Sequence, residues 1–92
     1  MKKQLRIRLD TISGASIARS KAREVLRDAE KFHVIVMDYE HVPEIGQAFA
    51  DEIYRVFKQK YPNIRIENEH MSGQVKFMVE RAQNEAKASK NI

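Results

Sequence analysis

The sequence predicts a small α/β sandwich in which three short strands alternate with three helices. Segments patterned like strands alternate with segments in which apolar residues recur every three or four positions. Residues 34–37 are continuously apolar, which is typical of a strand covered on both faces in a parallel sheet. The resulting order, β-α-β-α-β-α, favours a mostly parallel sheet with helices packed on it.

The first strand and the first helix lie in the amino-terminal third of the chain. Apolar and polar residues alternate over 3–10, which predicts a half-exposed strand whose charged outer face suits the edge of the sheet. A loop over 11–16 follows, and apolar residues at helical spacing predict a helix over about 17–31. Two serines can cap this helix: Ser13 and Ser16. Its opposite face carries a basic stripe formed by Arg19, Arg23 and Arg27.

The second strand, predicted over 33–39, leads into a short acidic turn and a second helix. Pro43 and Gly46 mark the turn, and the helix is predicted to run from Gly46 or Gln47 to Lys60. Its apolar stripe consists of Ile45, Phe49, Ile53, Val56 and Phe57. Sites in open α/β sheets form beyond the carboxyl ends of the strands, so we expect the functional surface here.

A third strand and a third helix complete the predicted fold. The strand alternates over 64–68, and Ser72 is placed to cap the helix that follows. The polar segment 84–92 is expected to fray. Because a sheet of three strands has open edges, the fold favours a homo-oligomer or a partner that pairs along an edge, with a monomer as the alternative.

Composition places the chain among small soluble domains. Its 92 residues suit a single domain spanning 1–92. The absence of cysteine excludes disulfides, thiolate zinc sites and thiol catalysis. No apolar run is long enough to span a bilayer or to form a signal peptide, so a cytoplasmic location without membrane partners is expected. The net charge of +4 is uneven, because residues 32–57 carry five acidic residues and one basic residue.

Two stretches of the chain resemble a known family. The first is Ala-Arg-Ser-Lys-Ala-Arg over 18–23, and the second is 37–57, which contains Gly-Gln-Ala-Phe-Ala-Asp-Glu over 46–52. They are similar to the STAS-like domain of unknown function, whose pattern is an Arg-Ser-x-x-Arg helix, an acidic strand end and an Ile-Gly-Gln-x-Phe-Ala-Asp-Glu helix start. The resemblance covers about residues 15–82.

The resemblance implies a relation to STAS domains, which include anti-sigma factor antagonists and regulatory domains of transporters. Those α/β modules work by docking on a protein partner, in bacteria typically a kinase-like anti-sigma ATPase. Their switch is a serine at the start of the helix after the central strand, where a phosphate adds negative charge beside the docking surface. At that place this chain has Gly46, Gln47 and Ala48, so no hydroxyl is available. It also has one predicted strand before the first helix, where STAS domains usually have two.

The candidate partner-binding residues follow from this motif and from the turn before it. They are Glu44, Gly46, Gln47, Phe49, Asp51 and Glu52. Three further residues are candidates for supporting roles: Ser20, Arg23 and Asp38. Asp51 and Glu52 point about 100° apart on a helix, so they cannot form an acid–base couple with each other. Ion pairs are the alternative role for them, either with Arg19 or Arg23 or, for Glu52, with Arg55.

The sequence shows no set of residues with the spacing of a catalytic or metal site. Asp38 lies at the carboxyl end of a strand, where it can act as an acid or cap the following turn. The three histidines lie in separate segments without ligand spacing: His33, His41 and His70. Gly46 is not followed by the lysine and serine of a phosphate-binding loop. We therefore predict no enzymatic activity, no cofactor and no metal.

These observations favour a non-enzymatic regulatory protein-binding module. One alternative is a nucleic-acid-associated adaptor that uses the basic stripe of the first helix, although the dispersal of basic residues among acidic ones does not favour nucleic acid. Another alternative is a small enzyme or nucleotide-binding protein that uses Asp38, Gln47 and Asp51. The sequence leaves open the identity of the partner and whether any residue is phosphorylated.

Overall fold

A computed structural model describes residues 2–11 and 18–90. Within these ranges three strands form one sheet: β1 (Lys2–Arg8), β2 (Phe32–Asp38) and β3 (Arg65–Glu69). Both strand pairs are parallel, and the order β1-β2-β3 places β2 in the centre. The predicted α/β class, the parallel sheet and the edge position of the first strand are confirmed.

The first helix alternates with the strands as predicted, but it is shorter than predicted. Helix α1 spans Arg19–Val25, and a separate 3-10 turn spans Ala29–Lys31. Between them Asp28 has a φ of 64°, a left-handed conformation that cannot continue a right-handed helix. Arg27 therefore lies outside α1, and the predicted stripe of three arginines is interrupted. Two predicted capping residues fall outside the described ranges: Ser13 and Ser16.

The second helix, α2, spans residues 47–60 and changes its winding in the middle. It is α-helical over Gln47–Asp51, π-helical over Glu52–Phe57 and α-helical again over Lys58–Lys60. Its predicted start after Gly46 and its predicted end at Lys60 are confirmed. The wider π turn was not predicted, because the sequence pattern fits an ordinary helix equally well.

The third helix, α3, spans Gly73–Lys90. Ser72 caps it as predicted, because its Oγ accepts a hydrogen bond from the Val75 N–H (3.2 Å). The prediction of fraying from residue 84 was wrong for 84–90, which remain helical because this segment is rich in good helix formers. No helix within residues 2–11 and 18–90 is long and apolar enough to cross a membrane.

The hydrophobic core lies between the three helices and one face of the sheet. Ile35 and Met37 of β2 are fully buried there, together with Phe49 and Ile53 of α2. Helix α2 contacts both α1 and α3, so it forms the centre of the helical layer. Right-handed connections between successive neighbouring strands place their helices on the same face of a sheet. The expectation that β2 is buried on both faces is confirmed at Ile35, Val36 and Met37, but the described helices cover one face only, and Val36 lies with half-buried Val34 on the other face.

Candidate functional site

The carboxyl ends of the three strands meet at one edge of the sheet. Parallel register aligns Arg8 with Asp38 and Asp38 with Glu69 at this edge. The chain leaves β2 here, passes through residues 39–46 and enters α2. Because ligand sites of open α/β sheets form beyond the carboxyl ends of the strands, this edge is the candidate functional site.

The turn after β2 is shaped by the side chain of Asp38. Its Oδ1 accepts a hydrogen bond from the Glu40 N–H (3.0 Å). The Val42 N–H donates to the Tyr39 carbonyl oxygen (2.9 Å), and His41 between them has a φ of 65°. Asp38 therefore caps the turn, which is one of the two roles that the sequence predicted for it.

The rest of this loop is held by residues at the beginning of α3. Ser72 Oγ donates to the Pro43 carbonyl oxygen (2.8 Å). The Gln74 side chain bonds to both backbone groups of Ile45: Oε1 accepts from the N–H (2.9 Å) and Nε2 donates to the carbonyl oxygen (3.1 Å). Residues 40–47, which we call the acidic loop, are therefore fixed although most lack regular secondary structure. Its exposed members are Glu40, His41, Pro43, Glu44 and Gln47.

A network of charged side chains lies beside the acidic loop. The Arg6 guanidinium donates to Asp38 Oδ2 (2.9 Å) and to Glu69 Oε1 (2.7 Å). His70 Nδ1 lies 2.9 Å from Asp38 Oδ1. The hydrogen bond with His70, followed by the one from the Glu40 N–H, lowers the pKa of Asp38. In turn, the hydrogen bond with the Asp38 carboxylate raises the pKa of His70.

Further along α2, Asp51 and Glu52 connect this helix to α1. The Arg19 guanidinium lies 2.8 Å from Asp51 Oδ2 and 3.0 Å from Glu52 Oε1. Arg23 Nε lies 3.4 Å from Glu52 Oε2, and Arg55 donates to Asp51 Oδ2 (2.8 Å). Pairing with α1 was predicted for one of the two acidic residues, and both of them form it. Arg55 pairs with Asp51, which lies four residues before it on the helix, instead of Glu52, whose two oxygens face arginines of α1.

The acidic loop and helix α2 both lie within the part of the sequence that matches a family model. That model describes a STAS-like domain of unknown function and matches residues 21–76, which is more than half of the chain. The chain belongs to this family. The STAS-like region contains β2, the acidic loop, α2 and β3, together with Ser72 and Gln74, which hold the loop. Comparison with curated proteins and with solved structures gives no significant match.

The six candidate partner-binding residues are divided between the surface and less accessible positions. Three of the six candidate partner-binding residues lie on the acidic loop: Glu44, Gly46 and Gln47. Phe49 is 0% exposed and belongs to the core, and Asp51 and Glu52 are only 8% and 7% exposed. A partner can therefore reach the acidic loop directly, whereas Phe49 is inaccessible and Asp51 and Glu52 are largely covered by the arginines paired with them. Partner binding by any of the six stays a prediction.

The three candidate supporting residues have different surroundings. Asp38 orders the turn and pairs with Arg6. Arg23 pairs with Glu52, and Ser20 is exposed in the first turn of the short helix α1. The structure therefore brings Arg23 close to the α2 motif, and it places Asp38 in a separate cluster at the end of the sheet.

A buried row of hydrogen-bonded side chains, formed by Tyr39, Tyr54 and Asn68, was not predicted from the sequence. The hydroxyl oxygens of Tyr39 and Tyr54 lie 2.6 Å apart, and the Tyr54 hydroxyl donates to Asn68 Oδ1. Burial raises the pKa of both tyrosines, so both remain neutral at physiological pH. These hydrogen bonds connect the end of β2 to β3 through the π-helical part of α2. Its weak sequence signal is the polar Asn68 at a core-facing position of an alternating strand.

Proposed function

We propose that this protein is a non-enzymatic, cytoplasmic regulatory module that binds a protein partner through the acidic loop. The observation that carries the proposal is that the loop is both exposed and fixed. Five hydrogen bonds hold it, and they involve the backbone of Glu40, Val42, Pro43 and Ile45. Binding residues often lie on loops that a rigid scaffold positions, because such loops tolerate exposed side chains without loss of the fold.

Because the acidic loop is already ordered in the free protein, binding a partner costs less conformational entropy. Ordering flexible groups at an interface costs about 0.5–1.5 kcal/mol for each immobilised, rotamer-rich side chain, and a mobile backbone adds to that cost. Here the backbone is already ordered by residues of β2 and α3. Glu40 and Glu44 give the loop a negative charge, so the expected partner surface is rich in Lys or Arg, which would also speed the encounter.

Membership of the STAS-like family supports the class of partner that we propose. The resemblance to STAS domains implies docking on a kinase-like ATPase near the helix that follows the central strand. In this chain the acidic loop leads directly into that helix at Gly46. Because residues 46–48 have no hydroxyl, we propose that binding is constitutive or is controlled by something other than phosphorylation at this place.

The two alternative functions have less support. Arg19 and Arg23, from the basic stripe proposed to bind nucleic acid, are paired with acidic residues of α2. This pairing lowers the positive charge available to phosphates. Asp38 and Asp51, proposed for nucleotide binding, are also held in ion pairs. These pairings leave the acidic loop as the best-supported contact surface.

A substitution in the acidic loop tests the proposal. Glu44→Lys combined with Gln47→Ala changes two exposed side chains, so the fold should persist while partner affinity falls by about tenfold or more through charge repulsion. Glu30→Lys is the matched control, because Glu30 is exposed and lies before β2, at the opposite edge of the sheet. Affinity capture from a lysate of the source cells, followed by titration of the captured protein, measures the effect.

The expected result is capture by the wild type and by Glu30→Lys, with loss in the double variant. Circular dichroism of all three proteins would confirm that the variants are folded. If all three proteins capture and bind the same partner with equal affinity, the acidic loop is not the contact surface.

A further inference from the structure

We infer that the carboxyl edge of the sheet contains a binding site for a divalent transition-metal ion, formed by Asp38, Glu40 and His70. One possible ligand atom from each of these side chains lies within 4.8 Å of the other two. The ligands come from segments 38–40 and 70, which are distant in sequence. They meet because β2 and β3 are neighbours in register and end at the same edge.

The distances require only a small movement to surround an ion. Ligand atoms at roughly 2.0–2.1 Å from a tetrahedral zinc ion are about 3.3 Å apart. His70 Nδ1 and Asp38 Oδ1 already lie 2.9 Å apart. Glu40 is exposed, so its carboxylate can rotate to cover the remaining distance. The His70 side chain is 54% exposed, which gives an ion access to the site.

Asp38 is oriented by its neighbours so that an ion can bind its Oδ1 in place of the hydrogen bond with His70. Its side chain is only 8% exposed, and Arg6 occupies its Oδ2 at 2.9 Å. Arg6 is itself anchored by Glu69 at 2.7 Å. Oδ1 therefore points toward the Glu40 N–H and His70, and a carboxylate oxygen can interact with more than one partner. Hydrogen bonds that orient a ligand in this way are a regular feature of metal sites and raise their affinity.

The types of ligand select the class of ion. With a neutral imidazole the two carboxylates carry a charge of −2, and because Arg6 and Glu69 beside them cancel each other, a divalent ion balances the cluster. Mg²⁺ and Ca²⁺ prefer sites made entirely of oxygen ligands, whereas imidazole favours Zn²⁺ and similar first-row ions. Three protein ligands also leave a fourth position open to water or to a group from another molecule.

The metal site can form without the proposed protein partner. Glu40 belongs both to the acidic loop and to the metal site, but an ion can bind the isolated domain. An ion there would connect the turn after β2 to the end of β3, in addition to the hydrogen bonds from Ser72 and Gln74 that hold the loop.

Metal titration of the untagged protein tests the assignment. We expect saturable binding of one ion per chain, measured with ZnCl2 by calorimetry and with CoCl2 by visible absorption. His70→Ala and Glu40→Gln should each weaken binding by about tenfold or more. His33→Ala is the matched control, because it removes an exposed histidine near the opposite end of β2 and should bind like the wild type.

Circular dichroism of each variant should be unchanged. Glu40→Gln is the safer variant, because the hydrogen bond of Glu40 to Asp38 uses its backbone N–H and remains. Absence of saturable binding to the wild type would overturn the inference, as would unchanged affinity in either His70→Ala or Glu40→Gln. Equal affinity for Mg²⁺ would also contradict it, because the imidazole would then contribute nothing.

Discussion

Asp51 and Glu52 are the most acidic part of the family motif, yet arginine side chains cover them almost completely. Their four carboxylate oxygens are surrounded by Arg19, Arg23 and Arg55. Burying a charge is unfavourable unless it is paired and hydrogen-bonded, and each of these carboxylates has at least two arginine partners. We therefore assign this pair of residues to the joining of α1 to α2.

Asp51→Asn should destabilise the domain in a pH-dependent manner. Arg55, followed by Arg19, lowers the pKa of Asp51 in the folded state. The carboxylate therefore adds stability above its unfolded pKa of about 3.9, and this contribution is lost as the pH falls through the lower folded pKa. We expect a loss of about 1.5–3 kcal/mol near neutral pH, as for hydrogen bonds to charged groups. Urea unfolding from about pH 7 to about pH 3 measures the difference between the variant and the wild type.

Glu80→Gln is the control for Asp51→Asn. Glu80 is an exposed carboxylate on α3, so its replacement should change the free energy of unfolding by less than about 0.5 kcal/mol at each pH. The difference between the wild type and Asp51→Asn should shrink on acidification. A difference that stays constant down to about pH 3 would mean that ionisation of Asp51 does not stabilise the fold.

Some contacts of single residues could be predicted from the sequence, and others could not. Pairing between the acidic motif and α1 could be predicted from the opposite charges of the two segments, because the sequence shows both the acidic residues and the arginines. Phe49 was predicted both in the apolar stripe and in the contact surface, and its burial favours the stripe. The contact between Tyr54 and Asn68 depends on the position of β3 and has no local sequence pattern. The spacing of Asp51 and Arg55 is local, but the choice of Asp51 over Glu52 as the partner of Arg55 does not follow from spacing alone.

Among the structural elements, the acidic loop depends on a helix that begins about thirty residues later in the chain. One hydroxyl serves both elements: Ser72 Oγ accepts from the Val75 N–H to cap α3, and donates to the Pro43 carbonyl oxygen. The sequence predicted the cap, because a serine before an amphipathic segment is a local signal. It did not predict the bond to Pro43, which depends on how α3 packs beside the end of β2.

Gln74→Ala should loosen the acidic loop while the overall fold remains. The substitution removes both hydrogen bonds to Ile45, each with a net contribution of about 0.5–1.5 kcal/mol. We therefore expect a total loss of about 1–3 kcal/mol and faster exchange of the Ile45 amide proton. Native-state hydrogen exchange followed by NMR measures this local opening residue by residue.

Gln83→Ala provides the matched control for the loop. Gln83 is an exposed glutamine on the same helix, so its replacement should leave exchange at Ile45 as in the wild type. If Gln74→Ala also leaves that exchange unchanged, the side chain of Gln74 does not hold the acidic loop in place before a partner binds.

At the scale of the whole molecule, the described helices cover one face of a three-stranded sheet. The other face carries charged side chains of the edge strands, including the ion pairs Arg6–Glu69 and Arg65–Glu67. The class of fold and the order of its elements could be predicted, because periodicity and the alternation of patterns are local. The number of covered faces could not, because the apolar run of β2 is also compatible with helices on both sides. Val36 is nevertheless 2% exposed on this second face, where the longer side chains of the edge strands flank it.

Neighbouring substitutions in β2 should therefore have very different effects. Ile35→Ala removes a fully buried side chain from the core and should cost about 2–5 kcal/mol. Val34→Ala affects a half-buried side chain on the other face and should cost less than about 1.5 kcal/mol.

Urea unfolding of both variants, each at a low and a high protein concentration, measures these losses. If the two losses are equal and stability rises with protein concentration, a second copy covers this face. Unequal losses that do not depend on concentration would identify a monomer whose sheet packs on one side.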